Sequence, residues 1–235
     1  MDTRFFGPAG WQLLHLIAAE DLNTHHKKDL FLAQQYILPC RFCRESTIAF
    51  MSAGGDYAYH EPADRWLYDL HNRVNKKLRD QCAEDPKVIC PPPDPAFSDI
   101  KKRYLDLLKK TPNVPPGMDF LFCVVYNYKD VTPEKTRRYQ DFFDALLPVY
   151  PYPHLREITM KYTSSIDLTD RSSLVRWFKP MMKELCKATG SKVPCVQKYA
   201  EYSSSCKRGK TCRNRKKQRK NHRRTYKLTH SRLIH

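Results

Sequence analysis

The chain contains a C-x-x-C motif formed by Cys40 and Cys43. Pro39 precedes the motif and is typical of the start of a helix, because its missing N–H would have no partner there. On a helix, cysteines at i and i+3 share one face a turn apart, within disulfide reach if the turn is distorted. The positive end of the helix dipole and the neighbouring Arg41 and Arg44 favour thiolates. The motif therefore predicts a redox-active thiol pair.

Half of a zinc site is the alternative interpretation of this pair, and it requires two further ligands. The best candidates are Cys82 and Cys90, but their C-x7-C spacing is wide and no second C-x2-C occurs. The chain has nine cysteines and begins Met1-Asp2-Thr3-Arg4, which does not resemble a signal peptide. In a reducing compartment such cysteines are usually metal ligands or redox catalysts. We predict redox chemistry and no metal site.

A second group of polar side chains accompanies apolar helical stripes. His71 and Asn75 are four residues apart beside one such stripe, and Asn72 adds another poor helix former. Trp11 and His15 likewise place an aromatic ring and a histidine four residues apart. A core histidine with satisfied partners is the simple alternative, but it explains one polar residue better than three. Aromatic, imidazole, amide and thiol groups that converge between helices suit a planar heteroaromatic cofactor.

Apolar residues at helical spacing predict that helices position both groups. Such stripes run through Leu13–Ile17, Leu30–Ile37 and Leu67–Leu78, without strand-like alternation. The proline-rich run Pro91–Pro95 is a stiff break and marks a boundary, after which a second helical region begins. We therefore predict an all-α chain with three units: a first domain at residues 1–90, a second helical domain at 97–200, and a disordered basic tail at 201–235.

Composition excludes several other classes of protein. The 235 residues are 41% hydrophobic, which is too apolar for a chain that is disordered throughout. Only seven glycines occur, with neither a G-x-G-x-x-G nor a P-loop motif, so a Rossmann nucleotide site is not expected. The longest apolar run, Phe120–Tyr126, is too short to span a bilayer, and we expect no membrane association.

The order and spacing of these residues resemble the Erv/ALR family of FAD-linked sulfhydryl oxidases, most of all the forms carried by large DNA viruses. The matching pieces cover residues 4–80: Gly7-Pro8-x-x-Trp11-x-x-x-His15, Pro39-Cys40-x-x-Cys43, and Trp66-x4-His71-Asn72-x-Val74-Asn75-x-Lys77-Leu78. Each piece is weak alone, but the three together are specific. The resemblance implies that the first domain is a bundle of four or five helices that holds FAD.

The resemblance also implies which side chains lie against the flavin, its adenine or its phosphates. These are Arg4, Gly7, Trp11, His15, Phe42, His71, Asn72, Val74, Asn75, Lys77 and Leu78. Tyr68 stands where the family often begins its structural disulfide, so Cys82 and Cys90 become a candidate bridge. The tryptophan that often closes the family's FAD site is not evident near residue 90.

The implied reaction is the oxidation of protein thiols. A substrate dithiol would attack the Cys40–Cys43 disulfide at Cys40, taken as the more exposed sulfur. Cys43 would leave as a thiolate and pass two electrons to the flavin, and from there to O2, which gives H2O2. The implied partners are thiol-containing proteins, molecular oxygen and a second copy of the chain in a homodimer. The expected location is the cytoplasm or, for a viral protein, the host cytoplasm and the virion.

Residues 118–186 look like a degraded copy of the first unit. Asp119–Val125 echoes Trp11–Ile17, and Tyr150–Glu157 echoes Leu38–Glu45. In this alignment the reactive residues are all replaced: Cys40 by Tyr152, Cys43 by Leu155, His15 by Cys123 and His71 by Met182. An unrelated helical domain with chance similarity is the alternative. Either way, its role would be that of a scaffold, a dimer surface or a substrate platform.

The tail at residues 201–235 carries 13 lysines and arginines and one acid, a net +12 of the chain's +17. Cys206 and Cys212 in this tail could relay electrons to the core disulfide, as mobile pairs often do in the family. The alternative is a polybasic arm with incidental cysteines that binds polyanions non-specifically. Cys186 and Cys195 are candidates for a bridge or for buried thiols. The rival function for the whole chain is a zinc-stabilised nucleic-acid-binding protein that acts through the tail.

Overall fold

The computed structural model describes residues 3–22, 25–52, 57–84 and 90–192. Within these ranges the regular structure is entirely helical, with nine α-helices, two short 3₁₀ turns and no strand. The predicted all-α fold is confirmed. The predicted basic tail at 201–235 lies outside the described residues. In the described part of the chain, no helix is long and apolar enough to cross a membrane.

The first half of the chain contains five helices. They are α1 (Thr3–Ala19), α2 (His25–Ile37), α3 (Arg41–Met51), α4 (Ala63–Glu84) and α5 (Phe97–Leu108). The predicted apolar stripes supply their buried faces, because Leu13, Leu30 and Leu67 are almost fully buried. Helix α3 begins two residues later than Pro39 suggests, so Cys40 is its N-cap residue.

Helix α5 lies beyond the proline-rich segment and packs against α1 and α4. The Tyr68 hydroxyl donates to the carbonyl of Pro95 at 2.8 Å, and the Tyr68 and Phe97 rings are 5.3 Å apart. Cys82, near the end of α4, forms a disulfide with Cys90 at the start of the proline-rich segment. The segment therefore returns the chain to the first bundle instead of leading it away.

The second half contains four helices: α6 (Met118–Tyr126), α7 (Pro133–Leu146), α8 (Pro153–Met160) and α9 (Arg171–Ala188). Helix α6 is buried along its whole length apart from Asp119, as its continuous apolar sequence predicts. Helix α7 begins with a side-chain cap, in which Thr132 accepts the N–H of Lys135 at 3.2 Å. Asp170 caps α9 in the same way.

The two halves share one hydrophobic core. Helix α1 packs on α6, and α2 packs on α7 in the most extensive helix–helix contact among the described residues. Gly117, at the N-cap of α6, has φ of 74°, and a Cβ there would lie 2.6 Å from a methyl group of Leu13. At the edge of the contact, Arg156 and Glu20 form a largely buried ion pair at 2.5 Å. The close approach of α1 and α6 thus requires glycine at position 117.

Candidate functional site

Cys40 and Cys43 lie together at the N-terminus of α3, and both are free thiols. Cys40 is the N-cap residue and is buried, whereas Cys43 is half-buried in the first helical turn. This order of exposure is the reverse of the sequence-based expectation, which took Cys40 as the more exposed sulfur. The start of α3 packs against the rest of the protein, and a sequence pattern does not show how deeply a helix N-terminus is covered.

The two thiols share a hydrogen bond, and this bond separates their proton affinities. Donation from Cys43, helped by the backbone N–H groups of Phe42 and Cys43, lowers the pKa of Cys40 to about 6 against the opposing effect of burial. The same bond, with burial, raises the pKa of Cys43, although the charge of Lys77 opposes that rise. The reduced pair therefore loses its first proton easily and retains its second. A pair that is stable as a monoanion is suited to thiol–disulfide exchange.

Helix α3 carries the two thiols and is called the redox helix below. Helix α4 is joined to it by two contacts. The Lys77 ammonium donates to the hydroxyl of Ser46, one turn after Cys43. The guanidinium of Arg73 lies 4.9 Å from the ring centroid of Phe50, further along α3. These contacts hold α3 against a helix that carries most of the predicted cofactor residues.

The predicted aromatic and histidine residues form one cluster between α1 and α4. The Trp11 indole stacks on the His71 imidazole with centroids 3.9 Å apart and planes 9° apart. His15 Nε2 lies 3.0 Å from His71 Nδ1, so one imidazole donates its N–H to the other. His15 is only 4% exposed. Three residues that sequence analysis assigned to one cofactor are thus in direct contact.

Tyr104 of α5 completes this cluster and was not predicted. Its ring stacks on His15 with centroids 4.7 Å apart, and the residue is buried. The available signal was the apolar stripe of α5, which includes Ile100 and Tyr104, but the prolines before it led us to assign that stripe to another domain.

Burial keeps both histidines of the cluster neutral. It lowers the pKa of His15 to about 3, assisted by the repulsion that a protonated His71 would exert and by the charge of Arg103. It also lowers the pKa of His71 to about 4, against a smaller opposing effect from Asp94. Each neutral imidazole presents one donor and one acceptor nitrogen. The cluster is therefore an uncharged surface that combines ring stacking with hydrogen bonding.

Asn75 and Asn72 lie one turn apart on the same side of α4. Asn75 donates to Asp94 at 3.1 Å, and Asp94 forms an ion pair with Arg79 at 2.5 Å. Asn72 lines a cavity of about 380 Å³ together with Tyr57, His60, Trp66, Asp69, Arg73, Lys76, Arg79 and Asp94. Neither the two thiols nor Trp11 lines this cavity. Because Asp94 also lines the cavity, both asparagines border one polar region next to the cluster.

The other predicted residues are distributed around this centre. Gly7, Val74 and Leu78 are half-buried, and Phe42 is 42% exposed. The side chain of Arg4 lies outside the described residues, as do Cys195, Cys206 and Cys212. Cys186 is disulfide-bonded.

Cys82 and Cys90 pair with each other, which leaves the zinc alternative without its second pair of thiols. In the described part of the chain, the one group of three metal-ligating side chains is His25, His26 and Asp29, and it contains no cysteine.

The chemistry of this cluster fits FAD. A flavin or an adenine is flat and heteroaromatic, with both donor and acceptor atoms at its edge. Trp11, Tyr104 and the imidazoles of His15 and His71 offer stacking faces together with neutral donors and acceptors. Asn75 adds an amide, and α4 links the cluster to the redox helix. These residues would hold the cofactor in reach of the helix that carries the thiols.

Comparison with known proteins identifies the same region. The Erv1 / Alr family model matches residues 8–90. FAD-linked sulfhydryl oxidase of African swine fever virus (isolate Tick/Malawi/Lil 20-1/1983) is 31% identical over 80 residues, which cover 31% of this chain and 67% of the relative. The Pig/Kenya/KEN-50/1950 form is 27% identical over 113 residues, 45% of this chain and 85% of that relative.

A cellular relative matches over a smaller share of its length. Mitochondrial FAD-linked sulfhydryl oxidase ERV1 of Saccharomyces cerevisiae is 29% identical over 96 residues, which cover 38% of this chain and 48% of the yeast protein. The chain thus spans about half of that relative. No solved structure gives a significant match.

The chain belongs to the Erv1/Alr family, and the resemblance to its viral members is confirmed. The relatives named here are FAD-linked sulfhydryl oxidases, so the enzyme class that the family defines is FAD-linked thiol oxidation, with FAD as cofactor.

The buried histidines predict that stability falls in mild acid. Their pKa values in the folded protein lie below the ordinary value, so the unfolded chain binds more protons as the pH falls below about 6.5. Their stabilising effect is complete above that pH and is lost progressively toward pH 4. We expect the free energy of unfolding, measured with urea between pH 6 and 4.5, to fall by up to about 1.4 kcal/mol per pH unit for each histidine.

The variant His15→Asn should reduce that slope, because one of the two titrating groups is gone. His154 is exposed on α8, so His154→Asn serves as the control and should leave the slope unchanged. Equal slopes for the wild type and His15→Asn would show that His15 is not held neutral.

Proposed function

We propose that this protein is an FAD-dependent thiol oxidase that forms disulfide bonds in protein substrates. The observation that carries the proposal is the pairing of two free, hydrogen-bonded thiols at the start of α3 with a neutral aromatic and imidazole cluster in the same bundle. Lys77 of α4 connects the two parts through Ser46. Neither part alone would distinguish an oxidase from a structural thiol pair or from a buried histidine cluster.

The protein residues perform the thiol exchange. A substrate thiolate attacks Cys40 in the Cys40–Cys43 disulfide and forms a mixed disulfide, while Cys43 leaves as a thiolate. The second substrate thiol then displaces Cys40 and completes the substrate disulfide. In the reduced pair Cys40 is the more acidic thiol, but attack at Cys40 ends the hydrogen bond that raises the pKa of Cys43. The charge of Lys77 then favours Cys43 as the leaving sulfur.

The cluster residues bind and orient the cofactor. Trp11 and Tyr104 offer stacking faces, and the His15–His71 pair and Asn75 offer donors and acceptors. When bound, FAD supplies two-electron acceptance from the dithiol and transfer to O2, with H2O2 as product. Because both histidines are neutral, they place no charge of their own against the bound cofactor.

Substitutions of the two thiols should separate cofactor binding from turnover. Protein purified without added cofactor should be yellow, and Cys40→Ser and Cys43→Ser should keep the colour, because neither thiol belongs to the cluster. Both variants should lose dithiol-dependent oxygen uptake by at least about a hundredfold, since each removes half of the exchanging pair. Absorption spectra and an oxygen electrode measure the two properties.

Cys123 provides a matched control, since it is also a free cysteine but is buried in α6. Cys123→Ala should be both yellow and active. Colourless protein that takes up no FAD, or an active Cys40→Ser variant, would contradict the proposed function.

We also propose that the second half is a degenerate copy of the first. The element order matches, with α1 to α4 followed by α6 to α9. The Arg44 guanidinium donates to the carbonyl of Leu38 at 2.5 Å, and Arg156 donates to that of Tyr150 at 3.0 Å, in each case six residues earlier. These pairs are equivalent in the sequence alignment that suggested the repeat.

The tryptophans of the two halves follow the same pattern. Trp66 near the start of α4 donates to the carbonyl of Tyr57 at 3.0 Å, and Trp177 of α9 donates to that of Tyr162 at 3.1 Å. Each indole thereby fixes the loop before its helix. A chance resemblance would have no reason to reproduce both kinds of contact.

A degenerate second copy would act as an internal partner. Helices α2 and α7, equivalent in this alignment, bury their apolar faces against each other, so the second half covers a face that a single copy would expose. Tyr152 and Leu155 stand where the first half has its thiols, so the second half is a scaffold without redox chemistry. A homodimer of the full chain would then use another surface.

Truncation after Lys110 tests this role. Removal of α6 to α9 uncovers the face of α2 that packs on α7, where the Arg138 guanidinium lies 3.7 Å from the ring centroid of Tyr36. The first half should therefore associate with itself. Light scattering should show that residues 1–110 form dimers or larger species at concentrations where the full chain shows fewer. A truncated protein that remains monomeric and yellow would contradict the idea that α7 replaces a partner.

The tail at 201–235, outside the described residues, has two proposed roles. Its net charge of +12 favours binding to polyanions, and Cys206 and Cys212 favour an electron relay from protein substrates. We propose polyanion binding as the principal role. The same charge is the feature that supports the rival hypothesis, in which the protein binds nucleic acid through its tail.

Two variants separate these roles. If the tail is only a polycation, Cys206→Ser/Cys212→Ser should oxidise a reduced protein as fast as the wild type. Truncation after Tyr202 should then abolish salt-sensitive retention on nucleic acid, because the lost cations no longer release counterions. If the double variant oxidises protein thiols several-fold more slowly but a small dithiol normally, the pair is a relay.

The location in the cytoplasm, and for a viral protein in the virion, is likewise a proposal. Detection of the protein in purified particles and in cell fractions would test it.

A further inference from the structure

Lys77 is a half-buried lysine of α4 whose ammonium lies against the redox helix. Its Nζ donates to the Ser46 hydroxyl, which donates in turn to the carbonyl of Phe42 at 2.8 Å. Ser46 follows Cys43 by three residues, so the two side chains are neighbours on α3. The ammonium is thus fixed beside the first turn of α3, where the thiols lie.

Lys77 forms no ion pair with a carboxylate among the residues that the structure describes, unlike its neighbours on α4. Lys76 pairs with Asp80 at 3.0 Å, and Arg79 pairs with Asp94 at 2.5 Å. An ammonium that is partly removed from water is stabilised by a nearby anion. In the reduced pair the first thiolate forms on Cys40, but once a substrate sulfur is bonded to Cys40 the remaining thiolate is that of Cys43. The hydrogen bond with the Cys40 thiol and burial raise the pKa of Cys43, and the charge of Lys77 opposes that rise.

We propose that Lys77, positioned by Ser46, stabilises the Cys43 thiolate that is released when a substrate attacks Cys40. The family resemblance implies only that Lys77 lies against the cofactor, so this role is an additional one. The inference rests on the proposed function for the identity of the substrate, but the property it predicts belongs to the thiol pair alone.

The step balances without a further reactant. A substrate thiolate forms a bond to Cys40, the Cys40–Cys43 bond breaks, and its electron pair remains on Cys43. A second substrate thiolate then displaces Cys40, so the substrate loses two electrons and the protein pair gains two. The protons of the substrate thiols pass to solvent and to the reduced pair. Because Lys77 stabilises the reduced form, it makes the disulfide a stronger oxidant.

The reduction potential of the pair measures this effect directly. The flavin-loaded protein is equilibrated without oxygen in glutathione buffers, quenched with acid and alkylated, and the Cys40–Cys43 peptide is quantified by mass spectrometry. Lys77→Met should shift the equilibrium toward the disulfide by about tenfold, which is ~30 mV lower for a two-electron couple. Ser46→Ala should shift it in the same direction by less, because the ammonium remains but is no longer fixed.

Two variants serve as controls. Lys77→Arg keeps the charge and should restore a potential close to that of the wild type. Lys76→Met removes a cation from the next position of α4, where it is paired with Asp80, and should leave the potential unchanged. A Lys77→Met variant that does not fold would leave Ser46→Ala, which removes only one hydroxyl, as the deciding measurement.

The outcomes distinguish this inference from the proposed function. An unchanged potential in Lys77→Met, with weaker flavin binding, would assign Lys77 to the cofactor and overturn the inference while the oxidase remained. An equal shift in Lys76→Met would also overturn it, since any cation of α4 would then suffice. If the wild type binds no flavin, the oxidase proposal fails, but a tenfold shift confined to Lys77→Met would still support the role of Lys77.

Discussion

The hydrogen bond between His15 and His71 is the interaction on which the organisation of the first bundle depends. It joins α1 to α4 inside the protein, and the rings of Trp11 and Tyr104 cover it from either end. Two imidazoles can share such a bond only while one nitrogen donates and the other accepts, so protonation of both would break it. The packing of α1, α4 and α5 therefore depends on a neutral pair, and burial is what keeps the pair neutral.

The redox helix depends on a different set of supports. Helix α3 packs on α2, and α2 is held by α7 of the second half. An electrostatic interaction also connects the halves here. Burial lowers the pKa of Lys135 on α7, and the charge of Arg44 on α3 makes a smaller contribution in the same direction. The position of the thiols is thus linked to the packing of the second half, which contains no C-x-x-C motif.

Sequence patterns predicted the parts of this site that are local. Cys40 and Cys43 share one turn, and Trp11 and His15 share another, so helical periodicity alone places each pair. Tyr104 was not predicted, because its contact with His15 depends on the direction of the chain after Pro91–Pro95. A run of prolines predicts that a helix ends, but it does not predict against which helices the next one packs. The burial of Cys40 was mispredicted for a related reason, since exposure at a helix end depends on distant packing.

Helix α4 separates two environments within the site. A nearby cation favours the thiolates, whereas the cluster around His71 is built from neutral rings. His71 and Lys77 are six residues apart, which places them about 240° apart around the helix and therefore on different faces. The helix thus directs an ammonium toward Ser46 and α3 and an imidazole toward Trp11 and α1. Moving the lysine to position 75 or 78 would place its charge on the face of His71 and remove it from the neighbourhood of the thiols.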